Sequence, residues 1–277
     1  MKNYCYFNGR TTTLDKIRIS PYDLGVLRGY GVFDVMCTQN GKPFLVDKHW
    51  KRFVNSAKEL NLKIPVGKKK YKSIVEYLLE KNNFKKSIVR TVLTGGISEN
   101  GFSYSPEKET FYIIIEKFKP LPGKIFKNGA SVITAEYERH IPRAKITNYV
   151  MAIKNQEARI KNKAMEIIYV KGGKALEAST SNFFIVKKGK IITTKDRILL
   201  GITRNLAIKL ARKASYKIQE REVKLLEIYS ADEMFLTATN KDIVPVVRVD
   251  GRKIGNGRTG KITKILMKDF SNFLKDY

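Results

Sequence analysis

Apolar and polar positions along the first third of the chain follow two different periods. A period of two predicts strands over Tyr4 to Asn8 and over Gly31 to Gln39. Asn40-Gly41 is a hairpin dipeptide, and it turns the second strand back into Pro43 to Val46. The period then becomes helical. Trp50, Phe53, Val54, Ala57 and Leu60 share one side of a helix that Asp47 is placed to cap, and Tyr71, Ile74, Val75, Leu78 and Leu79 mark a second helix. Strands return at Ser87 to Leu93 and Thr110 to Glu116, after which Pro120, Pro122 and Gly123 break the pattern.

Past the break the same two periods alternate again. Strands are predicted at Ala130 to Ala135, Ile167 to Val170, Ala175 to Glu177, Phe183 to Lys187 and Lys190 to Thr194, with Gly172-Gly173 and Gly189 at the turns. Glu233 to Thr237 and Ile243 to Val249 complete the strands, the latter ending in an Asp250-Gly251 hairpin. Helices are predicted at Asn148 to Lys161, at Ile202 to Ala214, and over the C-terminal stretch holding Ile262, Ile265, Leu266, Phe270 and Phe273. The pattern describes an α+β chain: an N-terminal α+β domain at 1–118, an interdomain linker at 119–125 and a C-terminal domain at 126–277.

Composition narrows this picture. A length of 277 residues suits about two domains, and 43% apolar residues is ordinary for a globular chain. No apolar run reaches the roughly 20 residues of a membrane helix, so no membrane partner is expected. The start, Met-Lys-Asn-Tyr-Cys-Tyr-Phe, has no secretory apolar stretch, and Cys5 and Cys37 are the only cysteines. Both features suit a reducing cytoplasm, with the cysteines as small core residues and no disulfide. The charge is unusual: 54 Lys+Arg against 26 Asp+Glu, net +28. The lysines are spread over nearly every segment, on the polar sides of helix patterns, as in Gly67-Lys-Lys-Lys-Tyr-Lys72. No arginine-rich arm or aromatic RNA-binding signature accompanies them, so a solvated lysine surface is preferred to a nucleic-acid site. Such a field would still draw in anionic substrates and a phosphorylated cofactor.

Three groups point to chemistry. Lys145 lies between apolar Ala144 and Ile146, and lysine is the side chain that condenses reversibly with an aldehyde and can carry a proton when desolvated. Glu177 ends a strand and could keep a pyridine nitrogen protonated, with Asn182 supporting its loop. Gly201-Ile202-Thr203-Arg204 opens a helix whose first amides point outward, with the positive end of the helix dipole behind them, as a phosphate requires. Together these suit an aldehyde carbon, a ring nitrogen and a phosphate, the three handles of pyridoxal 5'-phosphate. Thr237-Ala-Thr239-Asn240 could form a second anion cup, and Arg52 could reach a phosphate oxygen. His49 and His140 lack ligand neighbours, so no metal is expected, and Ser179 and Ser181 lack the Gly-x-Ser-x-Gly elbow of a serine hydrolase.

At these residues the chain resembles the class IV aminotransferases, the fold-type IV pyridoxal phosphate enzymes. The likeness runs from Tyr6-Phe-Asn-Gly9 to the C-terminal helix and includes Arg28-Gly-Tyr-Gly-Val-Phe-Asp34, His49-Trp-Lys-Arg52, Ala144-Lys145, Glu177 to Phe184, Gly201 to Arg204, Ala231-Asp-Glu-Met-Phe235 and Val249-Asp-Gly251 through Gly260. It implies a small N-terminal domain and a larger, β-barrel-like C-terminal domain that binds the cofactor. Lys145 would be the catalytic lysine joined to the cofactor, and Glu177 would meet the ring nitrogen. Arg52, Ile202, Thr203 and Thr239 would hold the phosphate, and Tyr149 would lie beside the ring hydroxyl. Phe33 would line the substrate pocket, Arg90 would receive an acidic side chain, and Thr239 and Asn240 would contact substrate. The resemblance implies amino transfer from an apolar, branched-chain L-amino acid to 2-oxoglutarate, by a homodimer. D-amino-acid enzymes of the family trap the substrate carboxylate with an Arg and a His in the loop after the Arg90 strand; here Asn100 and Phe102 stand there, and Phe33 replaces their tyrosine. An aminodeoxychorismate lyase, a D-amino-acid aminotransferase and a non-enzymatic basic protein that binds nucleic acid stay open as rivals.

Overall fold

The computed structural model describes residues 3–277. The chain falls into two compact units: one runs up to Lys119 and includes Ala144–Asn148 and Tyr277, and the other comprises Pro120–Arg143 and Tyr149–Asp276.

The first unit contains β1 (Tyr4–Phe7), β2 (Arg10–Thr13), α1 (Leu24–Arg28), β3 (Gly31–Gln39), β4 (Lys42–Pro43), α2 (Val46–Glu59), α3 (Lys68–Asn82), β5 (Ser87–Thr94) and β6 (Thr110–Lys117). Among the described residues its strands form one antiparallel sheet in the order β2-β1-β6-β5-β3-β4. Alternate positions of the central strands are buried, among them Val32, Met36, Val89, Leu93, Ile113 and Ile115. Helix α2 packs on β3 and α3 on β1 and β6, each burying its apolar stripe. Cys5 and Cys37 are buried and form no disulfide.

Three local differences from the sequence pattern have physical causes. Leu45, at φ 52°, is the N-cap residue of α2, so Val46 is already helical and the hairpin's second strand is only Lys42–Pro43. Asp47 therefore lies in the first turn rather than capping, and its carboxylate pairs with Lys68 and Lys72 of α3. Strand β2, Arg-Thr-Thr-Thr, carries no apolar alternation to reveal it. Helix α1 is only five residues long and depends on Asp23, whose carboxylate accepts the Gly25 amide at 2.7 Å.

The second unit contains α4 (Gly123–Asn128), β7 (Ala130–Glu136), α5 (Val150–Lys154), α6 (Gln156–Lys161), β8 (Glu166–Lys171), β9 (Lys174–Ala178), β10 (Asn182–Lys187), β11 (Lys190–Thr193), α7 (Ile202–Lys213), β12 (Ile218–Glu220), β13 (Val223–Lys224), α8 (Leu225–Tyr229), β14 (Glu233–Ala238), β15 (Asp242–Val249), β16 (Arg252–Lys253) and α9 (Lys261–Lys275). Its mixed sheet has the order β12-β11-β10-β14-β15-β7-β8-β9-β13, with β16 on β15. Strand β7 runs parallel to both β15 and β8, and the parallel pairing with β8 requires the long crossover between those two strands. The core inside the sheet includes Val132, Ile168, Phe183, Ile185, Met234, Leu236 and Val244. The helix expected over Asn148 to Lys161 is two helices, because Asn155 ends α5 and bonds back to Met151 O at 2.8 Å through its own side chain. Residues 123–125, placed in a linker by their Pro-Gly neighbours, begin α4. No helix among the described residues is long and apolar enough to cross a membrane.

Asp23 of the first unit is fully buried and also accepts the hydroxyls of Thr94 at 2.9 Å and Thr110 at 2.5 Å. Removing its carboxylate leaves these donors unpaired in the interior. Asp23→Ala is expected to lower the free energy of unfolding by about 3 kcal/mol, measured by urea titration.

Candidate active site

Lys145 belongs to a short extended segment docked on the start of β3. Ile146 bridges Val32, Phe33 N donates to Lys145 O at 2.9 Å, and Thr147 N donates to Gly31 O at 2.9 Å. The Lys145 amide donates to Ser56 Oγ of α2 at 2.9 Å, so the backbone of the lysine is held on two sides. Ala144 and Ile146 turn inward and are buried. Lys145 points the other way, with Nζ 4.5 Å from the centre of the Phe33 ring. The sequence-predicted Lys145 and Phe33 are thus direct neighbours.

Strand alternation puts Asp34 on the opposite face from Phe33, against α2. There His49 and Arg52, three residues apart on that helix, both reach it. Arg52 donates Nε and Nη2 to the two carboxylate oxygens at 2.7 and 2.9 Å, and His49 Nδ1 lies 2.7 Å from Oδ1. Burial pushes the Asp34 carboxyl up, but the charges and hydrogen bonds of Arg52 and His49 outweigh it and hold the group well below the usual carboxylate range. His49 moves down from its ordinary value, because burial outweighs the pull of Asp34 and the charges of Arg52 and Lys145 add to the effect. The fork of Arg52 is therefore spent on Asp34, and Nη1 is the part of the guanidinium that this carboxylate does not engage. Arg90 lies on the neighbouring β5, opposite Val35, with Nε 2.9 Å from Glu116 Oε2.

In the second unit Glu177 is the penultimate residue of β9 and is 6% exposed. It accepts Arg139 Nε at 2.7 Å and the Leu199 amide at 3.1 Å. Asn182 opens β10 and donates Nδ2 to Leu199 O at 2.8 Å. These two side chains fix the segment that leads into α7. Gly201 is required there: a Cβ on it would lie 2.2 Å from Asn182 Oδ1. With glycine in place, α7 starts at Ile202 with no side-chain cap on its first amides, and Ile202 and Thr203 are buried. Arg204 does not join them. It is 1% exposed and turns into the core toward Thr194 O and Glu220.

Thr239 and Asn240 follow a strand that pairs with the one Asn182 opens. Asn182 and Thr237 are register partners, and the turn after β14 carries Thr239 and Asn240. Thr237 Oγ1 is buried with no hydrogen-bond partner among the described residues. Tyr149 is the N-cap residue of α5. The buried Tyr169 packs edge-on against Tyr137, and its phenol is raised above its usual value by burial first, then by Tyr137, Tyr149 and Glu177. The uncapped helix start kept open by glycine and the buried acid of the second unit, and the backbone-clamped lysine of the first, are each of a chemistry that fits pyridoxal 5'-phosphate.

Sequence reading missed Asp34 and Arg139. Asp34 carried a signal, a carboxylate at an inward-facing position of an apolar strand, since such a group needs cationic partners. Arg139 sits in an irregular segment after β7, where no periodicity marks a role.

Comparison with known proteins agrees with this geometry. Residues 31–249 match the family model for amino-transferase class IV. A Methanocaldococcus jannaschii protein, provisionally named a branched-chain-amino-acid aminotransferase, is 32% identical over 96% of this chain and 95% of its own length. The D-alanine aminotransferase of Staphylococcus aureus is 27% identical, covering 98% of each chain. A crystal structure of the T.th. branched-chain amino acid aminotransferase with pyridoxamine 5'-phosphate superposes with a TM-score of 0.92 at 24% identity, over 100% of this chain and 95% of that one. The Escherichia coli branched-chain enzyme gives 0.91 at 23% identity, over 100% and 96%. The likeness in fold confirms the α+β, fold-type IV architecture expected from the sequence. On the family match and this extent of identity, the chain belongs to the class IV aminotransferases, enzymes that work with pyridoxal 5'-phosphate.

Proposed function

We propose that the protein transfers the amino group of an apolar, branched-chain L-amino acid to 2-oxoglutarate. The observation that carries the choice of hand is the loop after β5. Asn100 donates Nδ2 to Ser103 Oγ at 2.8 Å while its side-chain oxygen accepts the amides of Phe102 and Ser103, and Phe102 is 79% exposed and carries no polar group. Neither can hold a substrate carboxylate as the Arg and His of a D-amino-acid enzyme would. The Methanocaldococcus relative supports the same substrate class.

Bound pyridoxal phosphate supplies an aldehyde for the amino group and a ring that accepts electrons from Cα. Lys145 would join the cofactor through its amine, and that amine would move a proton between the substrate Cα and the cofactor C4′. Phe33 keeps bulk water away from that amine. Glu177 holds a proton on the ring nitrogen, and Arg139 keeps the Glu177 carboxylate aimed. The amides of Ile202 and Thr203, with Thr239 and Arg52, bind the phosphate, and Tyr149 meets the ring hydroxyl. Arg90 leaves Glu116 to take the second carboxylate of 2-oxoglutarate, while Phe33, Thr239 and Asn240 meet the substrate. We place the enzyme in the cytoplasm as a homodimer. Exposed Tyr22, Val26, Leu27, Ile97 and Phe102 of the first unit, on two segments joined by backbone bonds, supply an apolar surface for a second copy.

Purified protein with pyridoxal phosphate, leucine and 2-oxoglutarate is expected to form glutamate, and D-alanine is not expected to replace leucine. The reverse result overturns the substrate assignment. Lys145→Ala is expected to lose the visible band of protein-bound cofactor and to lower kcat at least about 100-fold. Gly201→Ala is expected to weaken cofactor binding roughly tenfold or more, read by release of cofactor on dilution, because the helix start must move off Asn182.

Asp34 gives a pH signature. Its folded-state pKa lies below the unfolded value, so the ionised form contributes stability above about pH 4, and this is lost as pH falls through the lower folded value. Asp34→Asn is expected to be less stable than wild type by a constant margin between about pH 5 and pH 8, a margin that narrows in more acidic solution. Urea titrations across that range measure it.

A further inference from the structure

Glu166 opens β8 and is only 2% exposed, yet it belongs to none of the groups assigned above. A carboxylate so deeply buried needs donors on both oxygens, and it has four. Oε1 accepts Lys241 Nζ at 2.5 Å and the hydroxyl of Ser181. Oε2 accepts the Thr180 amide at 2.7 Å and the Ser179 hydroxyl at 3.1 Å. Lys241 makes a second bond to Thr180 Oγ1 at 2.6 Å.

These bonds fasten two turns to each other. The first is closed by Ala178 N on Ser181 O at 2.8 Å and lies between Glu177 and Asn182. The second is closed by Lys241 N on Ala238 O at 3.2 Å and carries Thr239 and Asn240. Because Asn182 and Thr237 are register partners, both turns leave the same end of the sheet. Asp242, at φ 57°, then bends the chain back into β15.

A buried ion pair is a poor way to gain stability, since apolar residues of similar volume often serve as well or better. It is a good way to hold one geometry, because any slip leaves a charge unpaired. We propose that Glu166 and Lys241 are positioning residues. Their pair locks the Thr239–Asn240 turn against the Ser179–Ser181 turn, so that Thr239 meets the cofactor phosphate, and Asn240 the substrate, in one fixed orientation. This rests on the roles given above to Thr239 and Asn240.

The test compares Lys241→Met, Lys241→Arg, Glu166→Gln and the Glu166→Gln/Lys241→Met double variant with wild-type holoenzyme. It reads the dissociation constant of pyridoxal phosphate on dilution, KM and kcat for leucine, and the melting temperature. Lys241→Met is expected to raise the cofactor dissociation constant about tenfold and to raise KM more than it lowers kcat. Lys241→Arg is expected to recover most of both losses. The double variant is expected to bind the cofactor no worse than Lys241→Met, because no charge is left unpaired. Wild-type cofactor affinity and KM in Lys241→Met overturn the proposal, as does a loss that Arg fails to recover or that appears only in melting temperature. Should Glu166→Gln fail to fold, the Met and Arg variants decide the matter alone. Lys145→Ala, measured beside them, separates the two readings. If it keeps its bound-cofactor band, the functional assignment fails; if it loses the band while the Lys241 series matches wild type, only the positioning role fails.

Discussion

A carboxylate that loses its water must be given donors inside the protein, and in this chain that requirement organises the functional loops. Asp23, Asp34, Glu166 and Glu177 are all at most 6% exposed, and each is surrounded by donors drawn from different segments. Asp23 joins the start of α1 to β5 and to the residue opening β6. Asp34 joins β3 to α2 through His49 and Arg52. Glu177 joins β9 to Arg139 and to the segment before α7. A buried carboxylate stripped of its donors is costly, so displacement of any segment it ties is penalised.

The same principle separates the residues that do chemistry from those that hold them. Lys145 and the α7 start touch the cofactor in our reading, and the backbone of each is held by bonds from other segments. The lysine is placed by backbone bonds to Phe33, Ser56 and the Val32–Ile146 bridge. The helix start is placed by Glu177 and Asn182 acting on Leu199, with Gly201 as the one residue that fits beneath the Asn182 amide. A backbone held on two sides suits a lysine whose amine would move a proton at one fixed place.

Much of this was legible in the sequence. The strand and helix periods located β3, β5, β6, β10, β14 and α7 to within a residue or two and placed the apolar faces of α2, α3 and α9, because each is long and buries one regular face. Short elements stayed hidden. β2 has no alternating pattern, α1 rests on one capping carboxylate, and the break at Asn155 depends on a single side-chain bond. Arg204 shows the converse limit: its place in the Gly-Ile-Thr-Arg run suggested the phosphate cup, yet its side chain is buried toward Glu220.

The chain by itself determined which chemistry is available, since the lysine, the acid and the glycine-opened helix are covalent facts and their order marks the family. Only the tertiary structure decided which polar groups are partners. Arg52 on Asp34, Arg139 on Glu177 and Lys241 on Glu166 are separated by 18, 38 and 75 residues along the chain. No local period encodes such distances. They follow from sheet register and from the need of each buried charge to find its counterpart.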